Sequence, residues 1–187
     1  MDKGNSVDSV VVDANVPSEA IAWLIDNCEK PLYIDAVSVA KAEKIRQAVA
    51  ASRRKSFFAL KCNALEYEAL GGTAEAERGD AKNGIAGKAF ETVKTRGAMG
   101  AERIYVTAGA KGLRVIAEGQ ERDFPALPAD VRNVTGGGDA LLAGIVHAGP
   151  EASIEKSARA GLLCAKCAVE SEEAVSSEIA QLRDVLD

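Results

Sequence analysis

Three consecutive glycines, Gly136, Gly137 and Gly138, run directly into Asp139 and then into the apolar stretch ALLAGIV. Amides in the first turn of a helix lack internal partners and sit at the positive end of the helix dipole. Glycines let several such amides converge and leave no Cβ to block a close approach, so the triplet is a candidate anion cradle. An acid in that first turn suits the dipole but repels a phosphate resting against it. The combination makes chemical sense when Asp139 faces a hydroxyl that attacks the phosphate. A glycine-rich turn followed by a helix-favouring acid is the plainer alternative, and this segment alone leaves both open.

Two other segments bear on the choice. KCNALEYEAL places Asn63 and Glu66 three residues apart, just after the apolar run Phe57–Leu60. On the first turn of a helix that spacing puts an amide oxygen and a carboxylate on one side, a set suited to hydrated Mg²⁺ and phosphate. YVTAGAKGLRV places Thr107, Gly109 and Gly112 directly after another apolar run, in a short loop able to contact a nucleotide through its backbone. It has no G-K-[ST] ending and is not a Walker loop. Ser38 and Lys41 begin a further helix, where Lys41 either reaches phosphate or is a solvated surface lysine. His147, inside an apolar helix, reads as a packed, hydrogen-bonded imidazole rather than a catalytic one. Cys164 and Cys167 form a C-x-x-C pair with no second pair. Cys164 projects opposite Glu155, Arg159 and Lys166, so these thiols read as structural core.

Positioning these residues requires alternating elements. Short β-branched or apolar runs at Val10–Val12, Leu32–Ile34, Phe57–Leu60 and Ile104–Val106 each end in polar residues. Helical spacing follows at Ala20–Cys28, with Ser18 as a candidate cap, and at Val39–Val49. The stretch Gly71–Gly84 is polar, and helical periodicity returns at Ile85, Ala89, Phe90 and Val93. Leu113–Ala117 and Arg122–Phe124 read as a hairpin across EGQE. Helices are expected near 139–148, 153–169 and 177–186. Strands buried on both sides and alternating with helices indicate a three-layer αβα, Rossmann-like parallel sheet. In such sheets chemistry collects at the carboxyl ends of the strands, which is where Asp13, Asn15, Asp35, Ser38, Lys61, Asn63 and Thr107 fall.

The 187 residues are expected to form a single α/β domain over 1–187, and 47% apolar against 27% charged residues allows a real core. A net charge of −5 argues against a nucleic-acid surface. No apolar run approaches the roughly 20 residues of a membrane span, and the N-terminus has no signal-peptide core. The expectation is a cytoplasmic protein with neither membrane nor nucleic-acid partner.

Taken together and in this order, the segments resemble the ribokinase-like (PfkB) carbohydrate kinases. Asn133 to Asp139 is similar to the acid-T-x-G-A-G-D signature, Asn63 and Glu66 to N-x-x-E, Thr107 to Gly112 to the T-x-G-x-x-G nucleotide loop, and DANVP at 13–17 to a D-x-N segment. DAVSVAKAEKIR at 35–46 looks most like the pseudouridine kinase branch. The resemblance covers nearly the whole chain. It implies transfer of the γ-phosphoryl of ATP to a hydroxyl of a sugar or nucleoside, with Mg²⁺ required and a monovalent cation as an optional cofactor. Asp139 would be the catalytic base and the amides of Gly136–Gly138 would stabilise the moving phosphoryl. Asn63 and Glu66 would order the metal, while Thr107, Gly109 and Gly112, with Lys41, would hold the nucleotide.

The sequence departs from that pattern in two places. Gly137 stands where the family usually has Ala. The family's N-terminal half, with the β-lid and most sugar-contacting residues, has no counterpart here. A truncated product, one half of a split kinase with a complementing N-terminal chain, and a short protein that forms a homodimer over its open sheet edge are the three alternatives. A sheet that starts near Val10 is expected to leave an unpaired edge and an uncovered apolar face, which all three address. A nucleotide-binding or interaction module without phosphotransfer competes with the kinase reading.

Overall fold

The computed structural model describes residues 7–72, 100–173 and 176–182. Four parallel strands, β1 (Val10–Asp13), β2 (Leu32–Asp35), β3 (Phe57–Asn63) and β4 (Ala101–Thr107), lie side by side in chain order. An antiparallel hairpin, β5 (Leu113–Ala117) and β6 (Gln120–Phe124), extends the sheet to six strands. Its two turn residues, Glu118 and Gly119, both have positive φ, the backbone that lets a tight turn follow the twist of the strands. The hairpin at EGQE is therefore as expected, and the sheet is mixed at this end.

Because the first four strands advance in one direction, right-handed crossovers put every crossover helix on the same face. That face carries α1 (Ser18–Asn27), α2 (Val39–Ala51) and α3 (Ala64–Ala69), packed over Ile34, Leu60, Cys62, Ile104 and Val106. The opposite face needs cover from elsewhere in the chain. It comes from α4 (Gly137–Ala148) and α5 (Ile154–Glu170), whose Leu141, Ile145 and Ala158 pack on Tyr33, Ala59, Tyr105 and Val115. The result is the expected three-layer αβα arrangement. α4 and α5 approach closely at glycines: a Cβ on Gly144 would stand 2.4 Å from the Ala160 carbonyl oxygen.

Several local readings differ. Pro17 rather than Ser18 occupies the cap of α1, with no side-chain cap bond, because Ser18 is already the first helical residue. The polar stretch beyond Gly72 and the periodicity at Ile85–Val93 lie outside the described residues, as does the end of the expected terminal helix, of which Ser177–Leu182 is a 3₁₀ helix. Among the described residues no helix is long and apolar enough to cross a membrane. β1 pairs only with β2 among them, and its Val11 is 50% exposed.

Candidate active site

Side chains alternate across a strand, and the registers put one set of polar residues on the α4 side of the sheet. Asp13 is opposite Asp35, Asp35 opposite Lys61, and Asn63 opposite Thr107. All lie at the carboxyl ends of their strands. Their intervening neighbours Val12, Ile34, Cys62 and Val106 face α1–α3. Burial drives the Cys62 thiol well above its ordinary pKa, so it is inert core between two site residues.

The N-terminus of α4 meets this row, and each glycine of the triplet has its own physical reason. Gly136 caps the helix at φ 81°, a left-handed conformation that a side chain disfavours. A Cβ on Gly137 would stand 3.0 Å from Val169 Cγ1, so the usual Ala would press on α5. A Cβ on Gly138 would stand 2.9 Å from Lys61 Nζ. Just upstream, Asn133 Oδ1 accepts from the Thr135 amide (2.9 Å), and the amides of Arg132 and Asn133 donate to Val169 O. These bonds aim the chain into the helix.

Two cavities flank this helix start. One, about 600 Å³, is lined by Thr107, Gly109, Gly112, Pro128, Gly137 and Gly138, with an apolar wall that includes Leu127, Val131, Leu162 and Val169. An apolar slot beside glycine amides suits a flat heteroaromatic base with phosphates attached. The other, about 690 Å³, is lined by Asp13, Asn15, Asp35, Lys61, Asp139 and His147, with Val11, Val37, Leu142 and Val146. Asp139 is exposed, and its carboxylate accepts no hydrogen bond among the described residues, which leaves it available to a hydroxyl.

Asn63 and Glu66 stand close by but are engaged with one another. Asn63 caps α3: its Oδ1 accepts from the Glu66 amide (2.9 Å), while its own amide and Nδ2 donate to the Glu66 carboxylate (2.8 and 2.7 Å). The spacing read from sequence as a metal-ordering pair is thus a complete capping box, with Glu66 buried. Each carboxylate oxygen retains a further lone pair. The pair fits a metal held through water rather than stripped of it, as Mg²⁺ prefers.

Two sequence readings shift. Lys41 is at the end of β1, not in the glycine-lined cavity: its ammonium donates to Asn15 Oδ1, and Asn15 in turn donates to Asp13 from both its amide and its side chain (2.8 Å each). His147 is exposed on the α4 face that lines the second cavity, not packed in the core, because α5 covers the opposite side of α4. Sequence reasoning gave no role to Lys61 and Asp35. They form an ion pair (3.0 and 3.1 Å) with side chains only 11% and 8% exposed. The available signal was two opposite charges, each directly following an apolar run that forms a strand of the same parallel sheet.

The carbohydrate kinase from Agrobacterium tumefaciens superposes with a TM-score of 0.67 at 26% identity, over 97% of this chain and 54% of that one. The ribokinase from Thermotoga maritima gives 0.64 at 18%, over 95% and 57%, and shares the fold. In sequence, the pseudouridine kinase of Escherichia coli K12 is 33% identical over 138 residues, 73% of this chain and 40% of that protein. The chain thus spans about half the length of these solved relatives, and less of the curated one. The glycine triplet, the Asn63–Glu66 pair and the Thr107 loop meet at one sheet edge, and the match to the family runs from residue 5 to residue 181: this chain belongs to the pfkB family of carbohydrate kinases.

Proposed function

We propose that this chain is the nucleotide-binding, base-bearing portion of a cytoplasmic kinase that transfers the γ-phosphoryl of ATP to a hydroxyl of a sugar or nucleoside, with pseudouridine as the first acceptor to test. One observation carries the reading. The start of α4 is a partition, with Gly137 and Gly138 lining the apolar cavity and Asp139 lining the polar one. A donor nucleotide on one side and an acceptor alcohol on the other would meet at that edge. The likeness to the E. coli pseudouridine kinase and the DAVSVAKAEKIR segment support the choice of acceptor.

In this mechanism the Thr107–Gly112 loop and the wall at Leu127–Val131 hold the base and the near phosphates. The amides of Gly136–Gly138 receive the γ-phosphoryl oxygens, and such preorganised donors are the larger part of catalysis. The acceptor oxygen bonds to phosphorus as the bond from phosphorus to the bridging β-phosphate oxygen breaks, and Asp139 takes the acceptor's proton. In a loose transition state that proton leaves late, so a carboxylate can serve as the base. Mg²⁺, when bound, neutralises phosphate charge, and Asn63 and Glu66 would hold its waters. Lys41, fixed on Asn15, belongs to the acceptor side of the partition.

Incubating the chain with MgATP and pseudouridine or ribose, alone and with the portion of the E. coli relative that it does not match, tests this. Phosphorylated acceptor is the expected product when both pieces are present. Absence of ATP binding would overturn the reading. Among the described residues β1 pairs only with β2, and this with the exposed Val11 favours one second reading, a nucleotide-binding half that waits for a complementing chain or a second copy. ATP binding with no transfer under any combination would support the module without phosphotransfer.

A further inference from the structure

We propose that Lys61 is a catalytic residue whose ammonium contacts the γ-phosphoryl oxygens, with Asp35 as the residue that positions it. The inference rests on the kinase reading and deepens it. Lys61 Nζ has three protons. Asp35 Oδ1 and Oδ2 receive two (3.1 and 3.0 Å), and no third acceptor is present among the described residues. The same nitrogen lies against the start of α4, 2.9 Å from where a Cβ of Gly138 would stand. Gly138 does not have a positive φ, so its backbone conformation does not require glycine. The ammonium does.

The placement runs against what stability alone would select. A cation at a helix N-terminus opposes the dipole. A buried ion pair contributes little that an apolar pair of similar volume would not. Here the ammonium, the helix end and the amides of the triplet put positive potential at one point, with the Asp35 carboxylate as the compensating charge. An arriving phosphoryl group supplies the anion that this point lacks.

Asp35 is held so that it cannot follow the lysine away. Its Oδ1 also accepts from the Val37 amide (3.0 Å), and the Ser38 amide donates to Ala36 O (2.7 Å), closing a tight turn with Val37 at φ 65°. A β-branched residue in that region is strained and persists only where its surroundings over-determine it. Val37 and Asp35 both line the polar cavity, so the turn that orients Lys61 also forms part of the acceptor wall. Lys61 retains its proton throughout transfer and forms no covalent bond; it moves from two contacts on Asp35 to a shared position between Asp35 and phosphate.

The test is calorimetric titration of the whole chain with MgATP and MgADP, for the wild type, Lys61→Met, Lys61→Arg and the double variant Asp35→Asn/Lys61→Met. The double variant removes the lone buried carboxylate that the single change would leave, and its thermal midpoint reports that it is folded. Loss of a hydrogen bond to a charged partner predicts about tenfold or more weaker binding of ATP in both Met variants. ADP affinity is expected to be unchanged, and Lys61→Arg should recover part of the loss. Equal losses for ATP and ADP, or no loss in the folded double variant, would overturn the role of Lys61 while leaving the kinase reading intact. A wild type that binds neither nucleotide would overturn both.

Discussion

Gly138 and Asp139 are consecutive in the chain and line different cavities. The first turn of α4 is thin enough to be a wall between two sites, since one residue has no side chain and the next turns its carboxylate the other way. In the proposed transfer a phosphoryl group would cross at this edge, in reach of the Gly136 and Gly138 amides on one side and the base on the other, while the Gly137 amide donates to Val134 O (3.4 Å).

From that division of labour, Asp139→Asn should leave nucleotide affinity within about twofold and reduce phosphoryl transfer by about 10²–10⁴-fold, the usual contribution of a positioned base. Titration with MgATP beside the two-piece transfer assay separates the terms. Loss of ATP binding in this variant would place Asp139 on the donor side instead.

Asn63→Ala removes the capping box and exposes the two roles of the pair. Stability should fall by about 0.5–2 kcal/mol in urea unfolding. If the pair also orders hydrated Mg²⁺, the Mg²⁺ concentration that half-saturates ATP binding should rise. A stability loss with unchanged Mg²⁺ dependence would make Asn63–Glu66 a helix cap and nothing more.

Gly144→Ala inserts a methyl group 2.4 Å from the Ala160 carbonyl oxygen, where α4 crosses α5. Backbone cannot yield as a flexible side chain can, so the helices must separate. Overpacking of this kind costs about 1–3 kcal/mol. Because α4 carries Gly137 and Gly138, which line the nucleotide cavity, at its start, ATP affinity should drop along with the unfolding midpoint. An unchanged midpoint would show that the crossing has slack.

Tyr33 is buried beneath α4, beside Phe58, and among the described residues its hydroxyl meets only a side-chain contact with Ser9 too poor in geometry to satisfy it. Burial, helped by Tyr105 and opposed by Ser9 and Arg103, pushes its pKa up to about 12 from 10.0. The unfolded chain therefore releases this proton near pH 10 while the folded chain holds it, so its contribution to stability is intact below pH 10 and is lost as pH climbs toward 12. Tyr33→Phe should be neutral or stabilising near pH 8, by up to about 1 kcal/mol, because an unsatisfied buried hydroxyl is removed. It should also flatten the alkaline loss. Urea midpoints at pH 8 and pH 10.5 decide, and an equally steep loss in the variant would assign it to other groups.

Much of this was legible in one dimension. Apolar runs ending in polar residues, followed by helical periods, specified the layers, because burial on both faces and a period near 3.6 are local properties of a chain. The glycines before Asp139 announced a helix start open to an anion, and the N-x-x-E spacing announced side chains that meet one turn apart. Local chemistry also decided that Asn63 and Glu66 would bond to each other first, which spacing alone did not distinguish from a metal pair. The direction of the hairpin was implied by a two-residue turn.

What only the tertiary structure decided is which ends come together. Lys61 and Asp35 are 26 residues apart and became partners because β2 and β3 align in register. Gly138 meets Lys61 because one-directional, right-handed crossovers leave a bare sheet face that α4 must cover. Lys41 went to Asn15 and His147 to the open cavity for the same reason: a helix's sequence states which of its faces is polar, but packing selects the neighbour that face will meet. Sequence by itself determined the parts and their local conformations; the register and the layering, set by burial of distant apolar surfaces, determined the site.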